Sequence, residues 1–237
     1  MSKRFDQYNL LSGTVGYDYV DAPLAVAGIT ASGQKIDREP TIGVAYTFDS
    51  RDLKQFSRNG LYTFLQLQHK GFGINNVAYN LFELDYREYR TLIGELAAKW
   101  RLNWSTSFGN VIPFYDYTFL GYLERVRGHS RDLREGKSYL LTSLEFSYPL
   151  LTEWNLHFKL PIIPESLTSY RVDIYLTTFY DAGETYNYNK EVALNNFYSG
   201  YGLGVTFLVL PYNALRLEYA RNEFGRGEFL VGIGFSF

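Results

Sequence analysis

Hydrophobic and polar residues alternate along most of this chain. Between Ile42 and Phe48, every second residue is large and apolar, and the intervening residues are small or polar. Because successive side chains of a β-strand point to opposite faces, such a segment has one apolar face and one small or polar face. The same alternation recurs in five further segments, with apolar residues at Trp100, Leu102 and Trp104; Leu140, Leu144, Phe146 and Tyr148; Val172, Ile174 and Leu176; Tyr201, Leu203, Val205, Phe207 and Val209; and Leu215, Leu217 and Tyr219. The chain is therefore predicted to be all-β.

Antiparallel strands joined by turns and loops follow from this pattern. Eleven are predicted, near residues 9–20, 40–50, 60–70, 77–90, 93–107, 112–122, 137–149, 168–181, 198–210, 213–222 and 227–237. The segment 153–161 is a candidate for a twelfth strand. Pro211 and Asn213 indicate a tight turn. Longer polar connections, predicted to be extracellular loops, lie at 21–39, 123–136 and 182–197.

The aromatic content points to a membrane. The 237 residues include 22 tyrosines, 18 phenylalanines and three tryptophans, and Tyr and Trp commonly line the two water–lipid interfaces. No apolar run approaches the roughly 20 residues that a transmembrane helix needs, whereas the strands of a barrel need only one apolar face. We therefore predict an antiparallel transmembrane β-barrel in the bacterial outer membrane, surrounded by outer-membrane lipid. Its strand number should be about twelve, because single-chain bacterial barrels have even numbers.

The last strand carries the sharpest pattern. Phe229, Val231, Ile233, Phe235 and Phe237 place an apolar residue at every second position, and the chain ends on phenylalanine. This resembles the C-terminal signal of bacterial outer-membrane proteins that the insertion machinery recognises. An ordinary amphipathic edge strand is the alternative, but in a soluble protein such a strand would promote aggregation.

Charge and side-chain chemistry argue against other classes of protein. The net charge of −2 gives no bulk field that would attract nucleic acid. The absence of cysteine excludes a disulfide framework and a cysteine nucleophile. His69, His129 and His157 lie on different segments without metal-ligand spacing. We expect no cofactor, no metal site and no nucleic-acid partner.

The segment after the second predicted strand resembles a family motif. In AYTFDSRDLKQFSRNGLYTFLQL, the residues Asp49, Arg51, Asp52 and Gly60 match the strand–turn–strand motif of the BamA-type outer-membrane assembly and translocation superfamily, also called the bacterial surface antigen family. The family usually has Asn-Pro after the second Asp and Pro before the Gly. This chain has neither, so its turn is divergent.

A second resemblance lies in the loop LERVRGHSRDLREG. Its Arg127 and Gly128 match the Val-Arg-Gly motif of the family's lumenal loop, and His129 replaces the aromatic residue that usually follows. The strands TSLEFSYPL and TTFYDAGETY resemble those that follow this loop in the family, and their Glu145 and Asp181 match its acidic positions. By alternation alone, both acids fall on the lumenal face.

The resemblance implies that the long extracellular loop folds into the lumen, where Arg127 pairs with Glu145 and Asp181. A guanidinium group suits two carboxylates, because its planar fork donates several hydrogen bonds. The alternative is that Arg127 is one solvated charge in a basic loop that also contains Arg125, Arg131 and Arg134.

The resemblance covers nearly all of residues 1–237, which we expect to form a single barrel domain. By this resemblance, the sequence corresponds to the C-terminal two-thirds of a typical family barrel, and we expect it to lack the periplasmic domains of the family and about the first third of its strands. The N-terminal residues lack the apolar segment of a signal peptide, so we expect a mature or expressed chain or a fragment of a longer gene product.

By resemblance, the function is to aid the insertion or transport of proteins at the outer membrane, with client outer-membrane proteins or accessory assembly subunits as partners. One alternative is a passive structural barrel or pore without assembly activity. A barrel enzyme is a remote alternative, because His129, Ser130 and Asp132 are only neighbours along a loop and catalytic groups must converge in space. We expect no enzymatic activity.

Overall fold

A single antiparallel sheet forms most of the molecule. The computed structural model describes residues 1–22, 30–54, 56–122, 124–157, 169–187, 192–210 and 213–234. Its strands are β1 (Ser2–Arg4), β2 (Asn9–Asp21), β3 (Ile36–Asp49), β4 (Gly60–Lys70), β5 (Ala78–Thr91), β6 (Ala97–Val111), β7 (Thr118–Leu120), β8 (Arg134–Gly136), β9 (Ser138–His157), β10 (Ser169–Tyr186), β11 (Tyr198–Leu210), β12 (Asn213–Asn222) and β13 (Gly227–Ile233). Eleven of them pair in chain order, and β7 with β8 forms a separate two-stranded sheet. The predicted all-β antiparallel class is confirmed.

The two faces of the sheet differ as the alternation predicted. Leu144 and Leu203 are 39% and 58% exposed, although both are large apolar residues. Ser107 and Thr206, on the opposite face, are 0% and 1% exposed although both are polar. A sheet with apolar residues outside and polar residues inside has the arrangement of a transmembrane barrel, in which lipid covers the outer face.

The sheet curves around one connection, residues 112–137, which we call the inner loop. Near one edge of the sheet, the Tyr115 hydroxyl donates to Glu39 Oε1 on β3 at 2.6 Å. At the other edge, the Gly128 N–H donates to Glu228 Oε1 on β13 at 2.5 Å. Since strands near both edges of the sheet touch the same loop, the inner face of the sheet surrounds the loop as the lumen of a barrel.

The predicted strand at 112–122 is wrong as a barrel strand, and the candidate twelfth strand at 153–161 is not separate from β9 over its described part. Of the first, only β7 is a strand, and it belongs to the inner loop, where Phe114–Asp116 form a 3₁₀ turn. Pro113 precedes that turn and removes a backbone donor that a central strand would need. Within the second, residues 153–157 continue β9, which bends at Glu153 with φ of 60°. The remainder, 158–161, lies outside the described residues.

The connections fall into two groups. We call the end of the barrel with the described residues 22, 30–35, 71–77, 112–122, 124–137, 187, 192–197 and 223–226 the loop end, and the opposite end the turn end. At the turn end, the β3–β4 connection crosses the lumen, and its Phe56 packs against Tyr175, Leu208 and Ala214 on β10, β11 and β12. The Phe56 and Tyr175 rings lie 4.4 Å apart. This connection therefore narrows the turn end of the lumen.

One further prediction concerns the connection between β11 and β12. The tight turn predicted at Pro211 falls at residues 211–212, outside the described range, although β11 and β12 pair as neighbours on either side of it.

None of the helices in the described ranges is long and apolar enough to cross a membrane.

Candidate functional site

The inner loop enters the lumen through apolar packing as well as polar contacts. Leu120 and Val126, on the loop, form a buried cluster with Tyr139 and Leu141 on β9. The strand pair β7–β8 holds the base of the loop, and Gly121 bridges to Glu124 where the loop turns back. This support places residues 126–130 beside the inner faces of β9, β10, β12 and β13.

Arg127 is the centre of the contacts between the loop and the barrel wall. Its Nε and Nη2 donate to the two carboxylate oxygens of Asp181 at 2.7 and 2.8 Å. Its Nη1 donates to Glu145 Oε2 at 3.1 Å and to Glu218 Oε1 at 2.8 Å. Its Nη2 also donates to the Ser143 hydroxyl at 3.2 Å. One guanidinium thus joins strands β9, β10 and β12.

The side chains around Arg127 contact its guanidinium group on its face as well as through hydrogen bonds. The guanidinium carbon lies 3.5 Å from the centre of the Phe179 ring, a cation–π geometry. Ser143 also donates to Asp181 Oδ1 at 2.6 Å, so this carboxylate accepts from two side chains. Because buried charges are costly unless they are paired and hydrogen-bonded, this network favours one position of the loop.

The backbone of the loop lies directly on the wall at two glycines. Gly128 has a φ of +100°, which side-chain-bearing residues rarely adopt, and its carbonyl accepts from Asn222 Nδ2 at 3.1 Å. On β11, a Cβ placed at Gly200 would lie only 1.7 Å from the carbonyl oxygen of Arg127. The absence of a side chain at Gly200 is therefore what allows the loop backbone to approach the sheet.

His129 makes a second set of contacts nearer the loop end. Its Nδ1 lies 2.8 Å from Asp132 Oδ2, and its Nε2 lies 2.7 Å from Glu223 Oε2 in the β12–β13 connection. The hydrogen bond with His129 holds the pKa of Asp132 below its usual value. Burial acts to raise the pKa of Glu223, but the hydrogen bond with His129, the charge of His129 and backbone hydrogen bonds, including one from Ser199, together outweigh it and the pKa is lowered.

Ser130 and His129 do not hydrogen-bond to each other in this structure. The Ser130 hydroxyl donates to Glu228 Oε1 at 2.7 Å, and both ring nitrogens of His129 face carboxylates instead of the serine. Nucleophilic catalysis requires the nucleophile and its base to be within hydrogen-bond reach. These residues therefore fasten the loop to the wall in this structure.

The residues of the turn motif shape the β3–β4 connection. Arg51 Nε and Nη2 donate to the two oxygens of Asp49 at 2.8 and 2.9 Å. The Asp52 carboxylate accepts from the backbone N–H groups of Leu53, Arg58 and Asn59 at 2.8, 3.0 and 3.0 Å, which fixes the connection as a compact unit.

Gly60 closes the same unit. It has a φ of +115°, and a Cβ there would lie 2.5 Å from the Ser50 carbonyl oxygen. Among the described residues, the side-chain hydrogen bonds of Asp49 and Asp52 stay within the β3–β4 connection, whose Phe56 packs across the turn end.

The C-terminal strand has the predicted alternation over its described part. Phe229, Val231 and Ile233 are 84%, 66% and 79% exposed, and Leu230 between them is 9% exposed. Phe235 and Phe237 lie outside the described residues.

The comparisons with known proteins agree with the geometry. A family model described as the Omp85 superfamily domain matches residues 2–237. The chain belongs to the Omp85 superfamily. A comparison with curated proteins gives no match. Among solved structures, BamA from Haemophilus ducreyi lacking POTRA domains 1–3 is similar, with a TM-score of 0.66 at 15% identity. The match covers 98% of this chain and 52% of that BamA chain, so this chain spans about half its length.

Several contact residues of this Omp85 chain were not identified from its sequence. Glu218 lies on the polar face that alternates with Leu217, and this alternation was the available signal. Asn222 and Glu228 lie on the same alternating face as Glu218, whereas Glu223 lies in the β12–β13 connection. The sequence does not show that any of them contacts the inner loop, which is 91 to 100 residues away along the chain. Their roles depend on the path of the loop inside the barrel.

Proposed function

We propose that this Omp85 chain acts in the bacterial outer membrane as a single barrel domain that aids the insertion or transport of proteins. The observation that carries the proposal is the superfamily match over residues 2–237, together with a loop fastened inside the lumen by Arg127. Its partners would be outer-membrane lipid and client outer-membrane proteins or accessory assembly subunits.

The edges of the sheet support an assembly mechanism. Over the described residues, β13 pairs with β12 on one side and has no strand on the other. At the opposite edge, β1 pairs with β2 only over Leu10–Ser12. Exposed strand edges present unpaired N–H and C=O groups that can accept an incoming strand. A client strand could therefore add to either of these edges.

The Arg127 network would support this activity by keeping the barrel wall in shape while an edge is open. The guanidinium connects β9, β10 and β12 through side chains, independently of the backbone pairing between strands. We propose that Arg127, Gly128, Glu145 and Asp181 act as a loop lock, and that the apolar positions of β13 serve as the signal for insertion of the chain itself.

Reconstitution in liposomes tests the proposal. The full chain is inserted into vesicles, an unfolded client barrel is added, and client folding is followed by its gel mobility without heating. We expect faster folding than in empty vesicles, and a loss of this acceleration in Arg127→Ala. Arg131→Ala, an exposed arginine of the same loop, is the matched control and should behave as the wild type.

Equal folding rates in loaded and empty vesicles would contradict the assembly function. Conductance across planar bilayers, measured on the same preparation, then identifies the alternative. A steady current that grows when the inner loop is deleted would indicate a pore, and absence of current would indicate a structural barrel.

A further inference from the structure

A cavity of about 140 Å³ lies in the lumen between the tip of the inner loop and the turn-end parts of β6, β12 and β13. Its wall is rich in basic side chains, which come from both the loop and the strands. These are Lys99, Arg101, Arg125, Arg127 and Arg216. The acidic residues of the same wall, Glu145, Asp181 and Glu218, are the carboxylates that already accept from Arg127.

Three of these cations have no ion pair among the residues that the structure describes. Arg101 does have one, because its Nη2 lies 2.9 Å from both Asp85 and Glu124. Lys99, Arg125 and Arg216 form none.

Two of the three are deeply buried. Lys99 and Arg216 are 8% and 9% exposed, and Arg216 Nη2 is buried without a hydrogen-bond partner. Glu145 interacts electrostatically with both cations, but neither of them forms an ion pair within 4.0 Å. A guanidinium or ammonium group can only donate hydrogen bonds, and a buried donor without an acceptor is costly. The cavity therefore lacks a hydrogen-bond acceptor beside Arg216 and Lys99.

We propose that the cavity binds a small phosphate-type oxyanion between Lys99 and Arg216, with Arg125 approaching from the loop. Charge-assisted hydrogen bonds from guanidinium and ammonium groups to such oxygens are short and strong. The volume of 140 Å³ exceeds the roughly 30 Å³ of one liquid water. Gly232, the cross-strand partner of Arg216, has no side chain and leaves this space open.

Binding of the anion would stabilise the inserted loop, because Arg125 belongs to the loop while Lys99 and Arg216 belong to the wall. A ligand that binds only the folded, loop-inserted state stabilises that state by mass action. The inference is independent of the proposed role in protein insertion, since its readout is anion binding to the barrel alone.

Thermal unfolding of the full chain in detergent tests the site. Inorganic phosphate is compared with chloride at equal ionic strength. We expect a saturable rise in apparent Tm of about 3–6 °C when phosphate is tenfold above its Kd. Lys99→Gln and Arg216→Gln should lose the rise, whereas Arg90→Gln, at an exposed arginine of β5, should keep it.

A second variant keeps the test decisive if those proteins fold poorly. Gly232→Asp places a carboxylate beside Arg216, and a Cβ there meets only the Arg216 Cβ at 3.8 Å. We expect Gly232→Asp to raise Tm without phosphate and to respond at least tenfold more weakly to it. Equilibrium dialysis of radiolabelled phosphate with the wild type measures binding directly.

Two outcomes would overturn the proposal. One is an absence of saturable phosphate binding to the wild type in dialysis. The other is an equal phosphate response in the wild type and Gly232→Asp, because phosphate also stabilises proteins generally by exclusion from their surface. Competition by glycerol 3-phosphate would identify a lipid headgroup as a source of the oxyanion, and failure to compete would identify the free ion; either result supports the site.

Discussion

At the scale of single residues, the position of the inner loop depends on one buried cation. Arg127 is 9% exposed and is the shared donor to Asp181, Glu145 and Glu218. Its removal would leave these three carboxylates without the guanidinium that they share as a hydrogen-bond donor. Breaking a buried ion pair by removing one partner is strongly destabilising, because the remaining charge stays buried.

Arg127→Ala should therefore release the loop. We expect a loss of about 3–5 kcal/mol in the free energy that holds the loop in the lumen, and a matching rise in cleavage of the loop by protease in intact vesicles. Arg127→Lys should restore only part of the protection, because an ammonium group cannot form the fork. Unchanged protection in Arg127→Ala would show that the loop does not depend on this network.

Acid should weaken the loop contacts nearer the loop end. The pKa values of Asp132 and Glu223 are lowered by hydrogen bonds with His129. A carboxylate whose folded pKa is lowered stabilises the fold above its unfolded pKa, and this contribution is lost as pH falls through the folded value.

We therefore expect protease protection of the loop to decline as pH falls below about 4, the ordinary range of these carboxyl groups. Cleavage by pepsin across this range measures the effect. In the double variant Glu223→Gln, Asp132→Asn, the protection should depend less on pH, because the two groups that titrate are absent. A decline of equal size in that double variant would assign the acid sensitivity to other groups.

The close contact at Gly200 gives a separate test of the loop position. Gly200→Ala would place a methyl group 1.7 Å from the Arg127 carbonyl oxygen, so the loop must move. We expect a cost of about 1–3 kcal/mol, typical of overpacking, measured as increased hydrogen exchange in the loop. Gly13→Ala, where the nearest atom is 4.0 Å away, should have little effect.

At the scale of elements, the alternation predicted the barrel strands because each strand has one lipid-facing and one lumenal face. It could not separate the segment 112–122 from a strand, because Tyr115 and Asp116 contact β3 and β4 through tertiary hydrogen bonds that local periodicity does not encode. The pairing of Arg127 with Glu145 and Asp181 was expected only from the family resemblance. Glu218 was missed because strand register is not visible in sequence.

The faces of β9 give a prediction about depth in the membrane. Leu144 and Leu150 both point outward, at 39% and 57% exposure. Leu144→Arg should cost about 2–4 kcal/mol if this residue lies near the bilayer midplane, whereas Leu150→Arg, nearer the turn end, should cost about 0–1 kcal/mol. Urea titration of folding into lipid vesicles measures both. Equal costs would mean that the two positions lie at the same depth.

At the scale of the whole molecule, the barrel is filled from both ends. The inner loop occupies the loop end through Arg127, and Phe56 of the β3–β4 connection packs across the turn end against β10–β12. Because the lumen is filled in this way, a further strand can form backbone hydrogen bonds with this barrel only at the free edges of the sheet. This is the property on which the proposed role in protein insertion depends.

The separation of a lipid-facing outside from a polar lumen is the central claim, and the three tryptophans test it most directly. Trp100 and Trp154 are 41% and 49% exposed, and Trp104 shares the outer face of β6. In vesicles of lipids brominated along their acyl chains, we predict strong quenching of tryptophan fluorescence and little quenching by aqueous iodide. Strong quenching by iodide without quenching by the brominated lipids would contradict a membrane barrel with these faces.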